Sequence, residues 1–356
     1  MAGPLKNDGP VEISPGVYWV GASTSDLLRR NVYLRVYAGK SDNYGVLIDP
    51  GPPQDFDTVY GKVCSVTNSP EHVNLITLNH QDPDVGASTP LWLKLNPKII
   101  VLMTEDTWRL AQYFGIERRN FKAVERFKDQ RVPLPTGHVL QFIPTPFCHF
   151  RGACMVYDIA SRILFTGDLF GGIAATKLLA DDGSWMGIKA FHQLYMPNND
   201  ALKLAVRRIR ELDPPPLMLA PQHGGIVRGD LIEQFLRRME DLVVGLDIIL
   251  PLEDKMPILV TAMNDALSAA HEVVGTEVTG KVMKLFYHDG SYPSIFTLDE
   301  DDAVTDIKAE PLSAIDAFVR HLFRHCSEEQ RNKLRIRLMK IFLEQNLPPP
   351  DSVFNE

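Results

Sequence analysis

Leu75-Ile76-Thr77-Leu78-Asn79-His80-Gln81-Asp82-Pro83-Asp84 runs from an apolar, β-prone segment straight into a polar loop with one imidazole and two carboxylates. The first part reads as a strand, Asn74 to Leu78, that stops abruptly at the loop Asn79 to Asp84. In an extended segment residues i, i+2 and i+4 point the same way, so His80, Asp82 and Asp84 are expected to face one point. Pro83 fixes its own φ and biases Asp82 toward an extended backbone, which preserves that projection. Alone, such a stretch is as readily an ordinary polar turn after a strand.

Three further stretches repeat the arrangement. Thr145-Pro146-Phe147-Cys148-His149 follows a strand expected over Val139 to Ile143. Leu164-Phe165-Thr166-Gly167-Asp168 ends an apolar strand in Gly-Asp, which leaves a carboxylate at the strand terminus with room beside it. Leu219-Ala220-Pro221-Gln222-His223-Gly224-Gly225 places a histidine just past another apolar run. A single histidine beside glycine is usually a loop residue. Four such places in this order, each at the mouth of a strand, are hard to attribute to chance.

The rest of the chain bounds the fold. At 356 residues it holds about two domains. Hydrophobic residues make up 45%, enough for a large core, and 23% are charged. A net charge of −8 and a pI near 5.7 argue against nucleic acid or an anionic membrane as the main partner. No apolar run reaches the ~18 residues of a membrane span, and the polar N-terminus is not a secretory signal. Cys64, Cys148, Cys154 and Cys326 lack C-x-x-C spacing, so a cytoplasmic protein with free thiols is expected.

Further strands are expected at Val17 to Val20, Val32 to Val36, Gly45 to Ile48, Met155 to Ile159, Ile163 to Thr166 and Leu217 to Ala220. Helices are expected at Thr104 to Phe114, Asn198 to Leu212 and Leu231 to Leu250. Pro251 to Lys255 reads as a linker, which divides the chain into a domain over 1–250 and a smaller α+β domain over 251–356. In the smaller part the pattern predicts a helix from Ile258 to about Val274. Strand-like runs at Val282 to Tyr287 and Ser294 to Leu298 flank Asp289-Gly290, and helices follow at Leu312 to His325 and Glu328 to Gln345. Ser327 and Gln330 have the spacing of a capping box.

The order of the four polar sites resembles the metallo-β-lactamase superfamily, whose pattern is H-x-H-x-D-H, then a His, then an Asp that can bridge two metals, then a His. Ile48-Asp49-Pro50-Gly51 resembles its early D-x-G turn, and the likeness covers roughly residues 10–250. It implies an α/β fold, the αββα sandwich, with the metal site at one edge of the two sheets. Asp82 stands where most hydrolases of the superfamily have their second His, and Val85 where they have their third. An acidic residue at the first of these positions is similar to the flavodiiron proteins. Carried over residue by residue, His80, Asp82 and His149 would bind one iron, Asp84 and His223 the other, and Asp168 would bridge them.

Donor chemistry points the same way. Imidazole suits zinc and iron alike, but added carboxylates favour harder, oxygen-loving ions. Residues 251–356 show no Gly/Ser/Thr-rich phosphate loop after an early strand, so no built-in FMN is expected. The chain therefore looks closest to stand-alone oxygen-binding diiron proteins of the superfamily. The expected function is a non-haem diiron protein that reduces or senses O2, with NO ranked lower. Its partners would be that small ligand and an external reductase or signalling protein, and a homodimer is one assembly kept open. The alternative is a dinuclear zinc hydrolase of an ester, thioester or phosphoester. Asp168 and Tyr195 are the catalytic candidates, although ordinary packing is the preferred reading of the segment holding His192 and Tyr195 and of Phe147. Cys148 reads as a buried inert thiol, and Asp299-Glu300-Asp301-Asp302 as a solvated turn. The last helix reads as a core-packing helix with a basic, solvated side at Lys333, Arg335, Arg337 and Lys340.

Overall fold

A computed structural model describes residues 9–22, 27–39, 43–249, 255–287 and 295–354. The chain divides into two compact units, Met1–Leu242 and Val243–Glu356.

The first unit is built on two sheets. One has seven strands in sequence order: β1 (Val11–Ser14), β2 (Val17–Trp19), β3 (Tyr33–Tyr37), β4 (Tyr44–Ile48), β5 (Val73–Thr77), β6 (Ile100–Met103) and β7 (Phe121–Ala123). Strands β1 to β4 pair antiparallel, and β4 to β7 pair parallel. The other has six: β8 (Arg131–Pro133), β9 (Val139–Pro144), β10 (Cys154–Asp158), β11 (Ile163–Gly167), β12 (Met218–Pro221) and β13 (Val227–Arg228). Its pairs are antiparallel except β11 with β12.

Alternation along each strand explains the layers. Trp19, Tyr33, Val46, Ile48 and Leu75 of the first sheet join Phe142, Val156, Phe165 and Ala220 of the second in one buried cluster. The opposite face of the first sheet, through Leu34, Leu47, Ile76, Val101 and Met103, packs with Val59, Val63 and Trp92 of the helices Phe56–Thr67 and Thr89–Leu95. Strands buried on both faces read as continuous apolar runs, as these do. An ion pair also joins the sheets: Arg35 Nε lies 2.7 Å from Asp158 Oδ2, with the carboxylate fully buried. Ser161 Oγ donates to the same oxygen at 2.6 Å, so the buried charge is paired and hydrogen-bonded.

Strand direction positions the site. Strands β9 and β11 both run antiparallel to β10, and β12 runs parallel to β11, so β9, β11 and β12 end at the same edge of their sheet. In the first sheet β4 and β5 run parallel and end together. His149, Asp168, His223 and His80 follow the ends of β9, β11, β12 and β5 in turn.

The second unit and the segment leading into it differ from expectation in several elements. Val282 to Tyr287 is not a strand but the last part of the helix Thr276–Tyr287. Val282, Met283 and Phe286 recur at helical spacing and are buried in the unit's own core, so packing of one helical face outweighs β propensity. Phe296–Leu298 pairs instead with Val304–Ile307, across the acidic residues 299–302. The Asp289-Gly290 turn and the linker residues 251–254 lie outside the described residues. The long helix expected over Leu231 to Leu250 is broken into Leu231–Glu240 and Leu246–Ile249, with Gly245 at φ 52° between them. Helices Met256–Val274, Pro311–Phe323 and Glu328–Glu344 complete the unit, the last opened by the Ser327/Gln330 capping box.

Candidate metal centre

The loop after β5 is shaped by its neighbour. Asp49, at the end of β4, adopts φ 50° and its carboxylate accepts the Asn79 N–H at 2.9 Å. Burial pushes that carboxyl up to about 7, with the Asn79 N–H and His80 opposing. Gly51 N–H donates to the Val85 carbonyl at 2.9 Å and Ser88 N–H to the Gly51 carbonyl at 3.0 Å. The Asp49-Pro50-Gly51 turn thereby anchors residues 85–88.

Asp82 is extended, at φ −68° and ψ 145°, but Pro83–Gly86 then forms a helical turn. The three residues therefore do not share one extended projection as expected, because proline at the first helical position starts a turn as readily as it extends the residue before it. The outcome is a divergence. His80 and Asp82 face one centre, Asp84 faces another, and Val85 turns fully buried into the apolar cluster behind.

Four side chains meet at the first centre. The ligand atoms of His80, Asp82, His149 and Asp168 all lie within 4.8 Å of one another. Asp82 Oδ2 is 3.1 Å from His149 Nε2 and 3.7 Å from His80 Nε2, so the short aspartate side chain reaches the cluster. Asp168 Oδ2 is 3.1 Å from His149 Nε2 and 3.4 Å from His80 Nε2. Neighbouring donors around an ion with bonds of about 2.0–2.2 Å are separated by roughly this much. Gln81 Nε2 donates to Asp82 Oδ1 at 2.8 Å and leaves Oδ2 for the cluster.

A second candidate group lies at the other oxygen of Asp168. His223 Nε2 is 3.3 Å from Asp84 Oδ2 and 3.6 Å from Asp168 Oδ1. His223 Nδ1 faces the Arg29 carbonyl at 3.0 Å, which fixes Nδ1 as the protonated nitrogen and aims the Nε2 lone pair at the carboxylates. Asp168 Oδ1 is buried and accepts no hydrogen bond. A buried carboxylate oxygen left without a donor calls for a cation, and the residues present fit a pair of metal ions on this ground. Each Asp168 oxygen faces a different group of candidate ligands.

Electrostatics agree. Burial alone would discharge the imidazoles, but Asp168 and Asp82 outweigh it and raise His80 to about 9 and His149 to about 10. Burial would likewise raise Asp168, yet His80, His149 and His223 hold it at about 2. Asp82 is held well below the usual carboxylate range, its burial overcome by His149 and His80. In the metal-free chain protons on the rings stand in for cations.

Residues outside the sequence-based set hold this frame. His192 does not enter the centre: its Nε2 accepts the Phe170 N–H at 3.1 Å and its Nδ1 faces the Ile188 carbonyl at 2.8 Å. Burial lowers its pKa to about 4, so it stays neutral while fastening the turn after Asp168. Gly167, at φ 59°, lies where an added Cβ would come within 3.0 Å of Asn79 Cβ. Tyr195 lies beside the site with its ring centre 6.0 Å from that of His149, and Phe191 packs 5.4 Å from the His223 ring. Phe147 is half exposed. Cys148 is buried, and burial pushes its thiol up to about 12. Asn79, Gln222, Arg29 and Asn31 stand outside the candidates that sequence reasoning offers. The one available signal is that Asn79 and Gln222 each adjoin a candidate histidine.

Residues 28–224 match the model of a family described as ODP family beta lactamase. The chain belongs to that family. The metallo-β-lactamase resemblance read from the motifs, and the sandwich it implied, are borne out. A solved structure of the chemotaxis sensor ODP, described as a peroxy diiron species, is 30% identical, with a TM-score of 0.57, covering 68% of this chain and 98% of that one. The apo state of the chemotaxis sensor ODP from T. denticola is 28% identical with the same TM-score of 0.57, covering 68% and 97%. Type A flavoprotein fprA of Rhodobacter capsulatus is 30% identical over 235 residues, which is 62% of this chain and 53% of the relative. The chain thus spans about half the length of that curated relative. In this ODP family member the match ends before residue 243, where the second unit begins. Among the described residues no helix is long and apolar enough to cross a membrane.

Proposed function

We propose that the chain holds two iron ions and uses them to bind O2, either to reduce it with electrons from an external donor or to report it to a signalling partner. His80, Asp82 and His149 hold one ion, Asp84 and His223 the other, and Asp168 is shared. The observation that carries this reading is Asp168, whose Oδ2 faces His80 and His149 while its otherwise unpartnered Oδ1 faces His223. When bound, two ferrous ions supply the electrons and the open coordination that O2 requires.

The chain's own residues set the rest. Val85 is turned into the core, so it adds no donor to the second centre, which keeps an open side. Asp82, Asp84 and His149 remain partly exposed, with side-chain exposures of 31%, 32% and 23%, which admits a small ligand. Three carboxylates favour iron over zinc. The similar ODP structures are those of a chemotaxis sensor, one of them a diiron species, and this supports both the metal and a sensing role. NO fits the same opening and ranks second. Free thiols at all four cysteines agree with a cytoplasmic protein.

The test is iron content and an optical spectrum of anaerobically purified protein, followed by stopped-flow mixing with O2. We expect about two irons per chain, a fast near-ultraviolet change, and little sustained O2 consumption without an added reductase. Stoichiometric zinc, silence toward O2 and rapid cleavage of a thioester or phosphodiester would replace this reading with the hydrolase one.

A further inference from the structure

We propose that Asn31 is a positioning residue for the second metal centre, acting through the loop Pro221–Gly224; this rests on the two-metal reading above. Asn31 is fully buried. Its Nδ2 donates to the Pro221 carbonyl at 2.9 Å and to the Gly224 carbonyl at 3.0 Å, which brackets His223 from both sides. Its Oδ1 accepts Trp19 Nε1–H at 2.9 Å, which fixes the orientation of the amide. The Asn31 backbone N–H donates to the Gln222 carbonyl at 2.5 Å, and Tyr33 Oη–H donates to the Pro221 carbonyl at 2.8 Å.

The clamp reaches both residues of the second centre. The Arg29 carbonyl, two residues before Asn31, faces His223 Nδ1. The buried Arg29 guanidinium donates to the Gly224 carbonyl. Gln222 Nε2 donates to the Asp84 carbonyl at 3.1 Å, so Asp84 is tied to the same loop. The first centre is held elsewhere: Asn79, beside His80, bonds to Asp49 and to the Phe165 carbonyl, and the His149 turn closes on itself through Thr145, Phe147 and Phe150. Loosening residues 221–224 therefore acts first on Asp84 and His223; the loop's hydrogen bond to the strand before Asp168, Gln222 N–H to the Gly167 carbonyl at 2.8 Å, is made by the backbone and is kept when the Asn31 side chain changes. Gly224, at φ 81°, packs so close to Gly172 that an added Cβ would lie 2.7 Å from its N, so the loop has little room to adjust on that side.

Asn31→Asp keeps the size and the acceptor for Trp19 but sets an oxygen against two carbonyls. Titrating chelator-stripped, anaerobic protein with Fe(II) reads the two sites separately, with circular dichroism recording the fold. Outer partners of metal-bound histidines typically change metal affinity about 10–100-fold. We expect the second Fe(II) to bind at least about tenfold more weakly in Asn31→Asp, while the first binds as in the unaltered chain. A folded Asn31→Asp that takes both ions with unchanged affinity overturns the inference. A lower melting temperature with both affinities unchanged would mark a merely structural role and overturns it equally. If Asn31→Asp does not fold, Tyr33→Phe must show a weaker second site with an intact first one, and equal affinities there also overturn it. Should the unaltered chain take up no second ion, the two-metal reading fails, and this inference with it.

Discussion

Replacing Asp168 with Asn tests the shared carboxylate while keeping its shape. One oxygen of Asp168 lies 3.1 Å and 3.4 Å from two proposed ligand nitrogens, and the other lies 3.6 Å from a third. The amide has no charge and presents N–H groups on one side, toward at least one imidazole nitrogen. A supporting residue that only orients a ligand is worth about 10–100-fold in metal affinity, so a direct anionic donor is worth more. We expect both ions to bind at least about 100-fold more weakly, which is about 3 kcal/mol at each site. Asp84→Asn is the contrast, since among the described residues Asp84 pairs with His223 and not with the ligands of the first group, and it should weaken the second ion alone. Anaerobic Fe(II) titration with elemental analysis measures both. A second readout needs no metal: without the Asp168 charge, the raised pKa values of His80 and His149 should fall, as seen by NMR titration of the stripped protein. An Asp168→Asn protein that keeps two irons at full affinity would refute the bridging assignment.

The pH dependence of the metal-free chain follows from the same contacts. His80 and His149 have folded values of about 9 and 10, above their ordinary 6.5, so their stabilisation is full below 6.5 and fades as pH rises through 9 to 10. Asp168 has a folded value of about 2, below its ordinary 3.8, so its contribution is present above 3.8 and is lost as pH falls through about 2. The melting temperature of stripped protein should decline toward alkaline pH for the first reason and toward strong acid for the second; a flat profile across about pH 6 to 10 would count against the imidazolium assignment. Metal uptake at neutral pH should release protons from those rings and tighten as pH rises, which calorimetry in buffers of different ionisation enthalpy detects. Val85→His should add no metal ligand and should cost roughly 1–3 kcal/mol of stability by burying an unpartnered polar ring, measured by urea unfolding; a tighter second site in that variant would show that Val85 faces the metals after all.

The centre is legible in the sequence because its chemistry lies in short local signals. Each group of proposed ligands follows an apolar run that ends abruptly, and in the structure each of these runs is a strand. The parallel courses of β4 with β5 and β11 with β12 do the rest, and they follow from crossover connections that no single window displays. Strand β6 escapes such a reading although Ile99 to Met103 is apolar, since a short apolar run does not by itself distinguish strand from helix. The same ambiguity, resolved the other way, makes Val282 to Tyr287 look like a strand. Asn31, Arg29 and Gln222 are illegible for another reason. Their partners lie 190, 195 and 138 residues away, and a buried amide reveals its role only when the carbonyls it serves are known.

The proposed site has two ways to be electrically satisfied, by protons on its rings or by metal ions. Asp82, Asp84 and Asp168 contribute three negative charges near His80, His149 and His223. Without metal, protonated His80 and His149 balance most of that charge, at separations of 3.1–3.7 Å between imidazole nitrogen and carboxylate oxygen. With two divalent ions bound, the rings would give up their protons and the carboxylates would meet four positive charges instead. Asp82 adds to this exchange: together with Asp168 it lies beside both protonated rings, so a third imidazole at that place would leave His80 and His149 sharing Asp168 alone in the metal-free chain. A carboxylate there serves both states. The frame around the proposed ligands also includes contacts to neutral backbone groups, His223 Nδ1 to the Arg29 carbonyl and Asn79 Nδ2 to the Phe165 carbonyl, and these do not change when the charges inside the centre do.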